Sequence, residues 1–259
     1  MKIVDSHTHL NDEAFDHEVD EIIRRAHELS VKRMVVVGCD EPGILRAIEL
    51  ADQYSDIYLA LGFHPTEAGS YTDELEEKLR EWLGHDKVVA LGEIGLDYHW
   101  MSDPKPVQFE VFRRQIRLSK ELNIPFAVHN RESTEDVYQI IKEEGVGPAG
   151  AIMHSYNQGP EWTEKFVDLG MTLSFSGVVT FKNAPLVKES AKIVPADRFL
   201  VETDAPYLCP EPYRGSRNEP GYTYYVAQEI ARLRGESVEE VARQTWNNAA
   251  KLFGWSADE

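Results

Sequence analysis

Cysteine is nearly absent from this chain of 259 residues, which has only Cys39 and Cys209. They form no C-x-x-C pair, so neither a disulfide framework nor a cysteine-based zinc site is expected, and both read as ordinary reduced thiols. Positive charge is also scarce. Lys and Arg number 27 against 45 Asp and Glu, a net charge of −18. Such a surface repels polyanions over about 8–10 Å. Salt-driven tracking along duplex DNA needs a basic stripe, and none is present. Arg113, Arg114, Arg117 and Lys120 read as one solvated helix face, and Arg214 with Arg217 as a second small cluster. An anionic substrate remains admissible where metal ions invert the local field, and a chain end in a pocket then fits better than a long duplex. Long apolar runs are missing too. The start, MKIVDSHTHL, has no signal-like h-region and nothing approaches a membrane span, so a soluble, cytoplasmic protein is expected. No G-x-G-x-x-G follows the first strand, which argues against a dinucleotide, and no organic cofactor is expected. Repeats, low-complexity tracts and linkers are absent, so residues 1–259 read as one domain, monomeric by default.

What is present is alternation. Strand-length apolar runs fall at Lys2–Val4, Met34–Val37, Ile57–Leu61, Val88–Leu91, Pro125–Val128, Ala149–Met153, Met171–Ser176 and Phe199–Val201. Helical spacing fills the intervals: Val19–Leu29, Ile44–Tyr54, Leu75–Leu83, Val107–Leu122, Val137–Glu144, Trp162–Leu169 and Leu186–Ile193. Tyr224–Arg234 and Val238–Leu252 close the chain as helices. Ser133 with Asp136, and Ser237 with Glu240, have capping-box spacing. Eight strands alternating with helices over this length predict a (β/α)8 TIM barrel, with a doubly wound open sheet as the rival. Two polar, aromatic connections, Gly95–Lys105 and Cys209–Tyr222, are long enough to carry substrate contacts.

Chemistry-bearing residues gather at the strand ends. Asp5-Ser6-His7-Thr8-His9 closes the first strand, and residues two apart on a strand share a face. Four further apolar runs end in Glu93, His129, His154 and Asp204. Singly, each has a bland reading as a helix cap or a satisfied core group. Together they would meet at the C-terminal face of a barrel, where uncompensated charge is costly. Four histidines and two carboxylates exceed the ligand set of one hydrolytic zinc, so two divalent ions are expected. Glu93 is the natural bridge, with His7, His9 and Asp204 on one ion and His129 and His154 on the other. A bridged water would then be acidified, with Asp204 accepting its proton. Mg, Mn and Zn all remain open as the ion. His64 in Gly62-Phe63-His64-Pro65 follows the third strand and reads as a phosphate or leaving-group contact, or as a turn residue. Glu202 shares a face with Asp204 and reads as partner to a ligating histidine. Arg131 suits a bidentate phosphate clamp, or a salt bridge to a loop. Tyr156 and Tyr207 suit base stacking or rim packing, as does Trp100.

The ordered set of H-x-H, GFHP, GEIGLDY (92–98), VHNR (128–131), HSY (154–156) and ETDAPY (202–207) resembles the TatD family of metal-dependent hydrolases, among the amidohydrolase-like barrels. The resemblance spans essentially the whole chain. It implies a (β/α)8 barrel, two divalent ions and deoxyribonuclease activity, typically a 3′-to-5′ exonuclease. By that resemblance His7, His9, Glu93, His129, His154 and Asp204 match metal ligands, Asp204 also matches the proton acceptor, and His64 lies near the substrate. Where many amidohydrolases bridge their metals with a carboxylated lysine, this chain offers Glu93. The expected partner is therefore DNA, single-stranded or at chain ends. A dimetal hydrolase of another ester or amide is the alternative, whether of a small phosphoester, a lactone or an aminoacyl-tRNA ester. A metal-binding partner protein with incidental catalysis is the third reading, disfavoured by the complete ligand set.

Overall fold

The computed structural model describes residues 1–258. Eight strands form one parallel sheet in sequential order: β1 (Ile3–Thr8), β2 (Val31–Gly38), β3 (Ile57–Leu61), β4 (Val88–Asp97), β5 (Phe126–Arg131), β6 (Ala151–Met153), β7 (Met171–Phe175) and β8 (Phe199–Val201). Backbone bonds just past the ends of the first and last strands close the ring. Asp204 N donates to His7 O at 2.9 Å, and His9 N to Ala205 O at 2.8 Å. Helices α1 (Val19–Glu28), α2 (Glu41–Gln53), α3 (Asp73–Trp82), α4 (Lys105–Leu122), α5 (Thr134–Glu144), α6 (Pro160–Asp168) and α7 (Pro185–Ile193) connect successive strands. Helices α8 (Thr223–Arg234) and α9 (Val238–Phe253) follow β8. The architecture is the expected TIM barrel, not the open sheet.

Strand alternation divides the core in two. Ile3, Met34, Val36, Leu59, Leu61, Phe126, Val128, Met153 and Phe199 face the helices in the larger cluster. Val4, Val35, Val37, Ala60, Ala127, Ile152 and Leu200 fill the barrel and meet Trp246, Ala249 and Phe253 of α9. That aromatic side of α9 closes the floor, leaving the opposite end open for chemistry.

Two irregularities in register decide where the polar residues go. In β1, Asp5 pairs with Met34 and Thr8 with Val36, three residues' advance against two. In β4, Leu91 pairs with Phe126 and Ile94 with Val128, again three against two. Each acts as a bulge, which lets two successive side chains share a face. Without the first, His7 would take the helix-facing side opposite Val4. Without the second, Glu93 would follow Leu91 outward.

Strand β4 also runs six residues beyond its expected end at Leu91, so part of the expected Gly95–Lys105 loop is strand. Gly95 permits this. Its φ is +147°, and a Cβ there would lie 1.9 Å from the His129 carbonyl oxygen. The β4 and β5 backbones are therefore pressed together where both carry site residues. Ser237 caps α9 as expected, accepting from Glu240 N, but the Glu240 carboxylate pairs with Arg243. Ser133 stands at the N-cap of α5 without capping it. Its hydroxyl donates to Leu96 O, and Asp136 instead accepts from the Tyr98 hydroxyl.

Candidate metal centre

At the open end, six side chains from five strand ends converge. Glu93 is buried at their centre, and its two oxygens face different histidines. Oε2 lies 3.3 Å from His7 Nε2 and 3.7 Å from His9 Nε2. Oε1 lies 2.7 Å from His129 Nδ1 and 3.2 Å from His154 Nε2. Asp204 Oδ1 completes the first side, 3.2 Å from His9 Nε2 and 3.5 Å from His7 Nε2. The backbone at Asp204 turns sharply there, with φ +58°, a left-handed conformation that aspartate tolerates better than most residues.

The protons on two of these rings are fixed from behind. His129 Nε2 lies 2.9 Å from Asp97 Oδ2, and His154 Nδ1 lies 2.8 Å from Glu202 Oε1. An ionised carboxylate only accepts, so each imidazole turns its N–H outward and a lone pair toward Glu93. Lone pairs and a carboxylate facing each other across about 3 Å repel unless a proton or a cation lies between them. His7 Nε2 makes the same point from the other side, being buried with no hydrogen-bond partner. These donors fit a divalent cation: imidazole nitrogens and carboxylate oxygens, convergent and short of partners. Three-residue groupings able to hold an ion include His7–His9–Asp204 and His64–Glu93–His129.

Electrostatics bear the same imprint. Burial works to raise the Glu93 carboxyl, but His154, His129 and His7 outweigh it and hold it well below the ordinary range. Burial likewise opposes ionised Asp97, yet the hydrogen bond from His129 and the Trp100 amide bring it down to about 2. Burial lowers His154, while Glu202, Glu93 and Asp204 outweigh it and raise the ring well above its usual value.

The remaining sequence expectations divide. His64 fits the turn reading, and its ring also faces the mouth. Its Nδ1 accepts from Thr66 N, ending the turn after β3, while Nε2 lies 3.3 Å from His129 Nδ1 and 3.6 Å from Glu93 Oε1. Burial, then His129, push it down to about 4, so it is neutral at pH 7. Arg131 is exposed and pairs with no carboxylate among the described residues, which removes the salt-bridge alternative. Tyr207 is 55% exposed with its ring 6.2 Å from the His9 ring, and Trp100 is 66% exposed. Tyr156 must be corrected. It is 1% exposed, its hydroxyl donates to Gly159 O and pairs with Thr163, and its ring packs on Phe175. Its ring is committed to the core and has no free face for a base.

Two participants escaped the sequence reading. Asp97 sits inside the GEIGLDY motif, but with β4 expected to stop at Leu91 its face could not be assigned. Cys39, read as an ordinary thiol, lies 3.6 Å from Glu93 Oε2. Burial and then Glu93 keep that thiol well above its usual pKa, so it stands as a protonated donor.

A TIM barrel with this donor set at its mouth is the architecture of a metal-dependent hydrolase. Family comparison makes the class specific. The family model described as TatD related DNase matches residues 4–254, and the chain belongs to that family. An uncharacterized metal-dependent hydrolase, YabD of Bacillus subtilis, is 49% identical over 97% of this chain and 98% of its own. The 3'-5' ssDNA/RNA exonuclease TatD of a Rahnella species is 30% identical over 96% and 97%. The crystal structure of the TatD homologue YJJV from Escherichia coli superposes with a TM-score of 0.90 at 28% identity, covering 98% of both chains. This chain is thus a metal-dependent hydrolase of the TatD family.

Proposed function

We propose that this hydrolase is a deoxyribonuclease that removes nucleotides from the 3′ end of single-stranded DNA with two divalent ions, Mg, Mn or Zn. The observation that carries the reading is Glu93, whose two oxygens address two separate sets of histidines. His7, His9 and Asp204 would hold one ion, His129 and His154 the other, with Glu93 between. When bound, such ions acidify water and neutralise charge developing on a phosphoryl group. The exonuclease named for the Rahnella relative supports the substrate and polarity.

The protein's own groups supply the rest. Asp204 accepts the proton of the attacking water. His64, with Nδ1 occupied by the Thr66 amide, carries its proton on Nε2 and offers it to a phosphate oxygen. The exposed guanidinium of Arg131 suits the next phosphate, and the exposed ring of Tyr207 suits a terminal base. On a surface this acidic, a strand end gripped at the mouth costs less repulsion than a duplex laid across it.

The test is release of mononucleotides from 3′-labelled and 5′-labelled single-stranded DNA, with Mg, Mn or chelator, beside Asp204→Ala. We expect metal-dependent loss of the 3′ label, none with chelator and none in the variant. No release under any metal would move the substrate to a small ester or amide.

Two further outcomes follow from the tautomer-fixing carboxylates and the acid balance. Asp97→Asn should cut metal affinity about 10–100-fold, because an amide no longer dictates which nitrogen of His129 is free. Metal titration would show it, and unchanged affinity would leave Asp97 a packing residue. In the ion-free protein, burial pulls His9 and His129 down, but Asp204 acting on His9, and Asp97 and Glu93 acting on His129, leave both above the ordinary 6.5. A raised pKa keeps these rings protonated to higher pH, so protons should begin to displace metal above pH 6.5 as the solution is acidified. Manganese affinity measured from pH 8 to 5.5 should fall throughout that range; a flat profile down to pH 6 would contradict it.

A further inference from the structure

The exposed aromatic rings of this protein gather on two loops. Among the described Phe, Trp and Tyr residues, Trp100, Tyr207 and Tyr213 have the greatest exposure, 66%, 55% and 41%. Trp100 follows β4, which supplies Glu93, while Tyr207 and Tyr213 follow β8, which leads to Asp204. Tyr213 is engaged elsewhere, its ring stacked on Tyr222 at 5.0 Å and edge-on to Tyr225 at 5.3 Å. Tyr207 stands beside His9. Trp100, the most exposed of the three, has no task in hydrolysis.

Its backbone is nonetheless fixed by a support of the metal centre. Asp97 Oδ2 lies 2.9 Å from His129 Nε2, and Asp97 Oδ1 accepts from His99 N at 3.0 Å and Trp100 N at 2.8 Å. One carboxylate thus separates the Trp100 amide from a candidate metal ligand. The ring is steadied as well. Glu132 Oε1, just past β5, lies 3.4 Å from His99 Nδ1, and the His99 ring meets Trp100 at 89° with centres 4.9 Å apart. Further along the loop, Gln108 Nε2 donates to Asp97 O and Asp103 O, and Asp103 accepts from Gly69 N. An aromatic ring held on a fixed backbone offers a large contact area at little further cost in conformational entropy.

The two free rings lie on opposite sides of Glu93. Tyr207 is beside His9, which faces Oε2, and Trp100 is beyond His129, which faces Oε1. We propose that Trp100 is a second stacking platform, taking the base next to the 3′-terminal one, so that a single strand straddles Glu93 with one base on each ring. The proposal rests on the nuclease reading and adds to it a preference. Every base has a π face, so the platform selects unpaired over paired ends without selecting sequence.

The experiment measures release of the terminal nucleotide from a 3′-labelled single-stranded oligonucleotide by the manganese-loaded protein. One substrate carries a base at every position, and a second is abasic next to the 3′ end. Trp100→Ala should raise KM for the complete strand by about tenfold, the loss expected for one base–aromatic stack, with kcat within about threefold and metal content unchanged. Trp100→Phe keeps a ring and should recover most of that loss, whereas Trp100→Leu, apolar without a π face, should not. The abasic strand should cost the unaltered protein a similar factor. In Trp100→Ala it should cost no more than about twofold, because both changes delete the same contact. Additive losses, or a KM for the complete strand unchanged in Trp100→Ala, would overturn the platform and leave the nuclease reading standing. Metal lost from Trp100→Ala would make the residue a support for Asp97 instead. No nucleotide released by the unaltered protein would remove the nuclease reading, and the platform with it.

Discussion

Glu93→Ala should abolish hydrolysis and empty the metal centre in one step. Its oxygens reach both sets of donors, His7 and His9 on one side and His129 and His154 on the other. Removing it takes the central negative charge from between four imidazoles, and cations there would lose their shared counter-ion. We expect kcat/KM to fall at least about 10³-fold and bound metal to drop below one ion per chain. Glu93→Gln separates charge from volume: it should lose metal as well, because an amide supplies a weaker oxygen donor and no charge. The fold should persist in both, since the barrel core is built from residues on the strands' other faces and below the mouth. Metal analysis beside thermal unfolding decides the matter. Full metal occupancy in Glu93→Ala would sink the bridging role.

Asp204→Asn should separate chemistry from binding. Asparagine keeps an oxygen where Asp204 now faces His9 and His7, but it cannot take a proton. Burial works to raise Asp204, and His154, His9 and His7 outweigh it and keep the carboxylate ionised, which is the state a proton acceptor needs. Measured at metal concentrations that saturate the variant, since the amide is a weaker donor here too, turnover should fall by about 10²–10⁴-fold while KM stays within about threefold. An unchanged kcat would remove Asp204 from proton transfer. A rise in KM with kcat preserved would make it a substrate contact instead.

The barrel was legible because its signals are local and repeated. Apolar runs of four or five residues, each followed by a helical stretch, force parallel pairing, and that sets where strand ends meet. All six expected ligands therefore appeared as residues closing apolar runs, and the tertiary structure brings them together. Glu202 could be paired with a ligating histidine from its spacing to Asp204, and it lies 2.8 Å from His154 Nδ1. Tyr156 failed because a tyrosine beside a site residue looks the same in sequence whether its hydroxyl faces solvent or, as here, Thr163.

What the sequence determined by itself was the set of elements, their order and the donor chemistry, all carried by residue type and short-range periodicity. What only the tertiary structure decided was direction. Strict alternation from Val4 and Ala90 would not have turned both His7 and Glu93 inward; the shifts of register against β2 and β5 did. Those shifts depend on which residues of a neighbouring strand pair with which, and on the close approach of β4 to β5 at Gly95. The roles of Asp97 and Cys39 rest on the same contacts between strands far apart in sequence. Periodicity within one segment carries no record of its neighbour's register, so these features exist only once the barrel has closed.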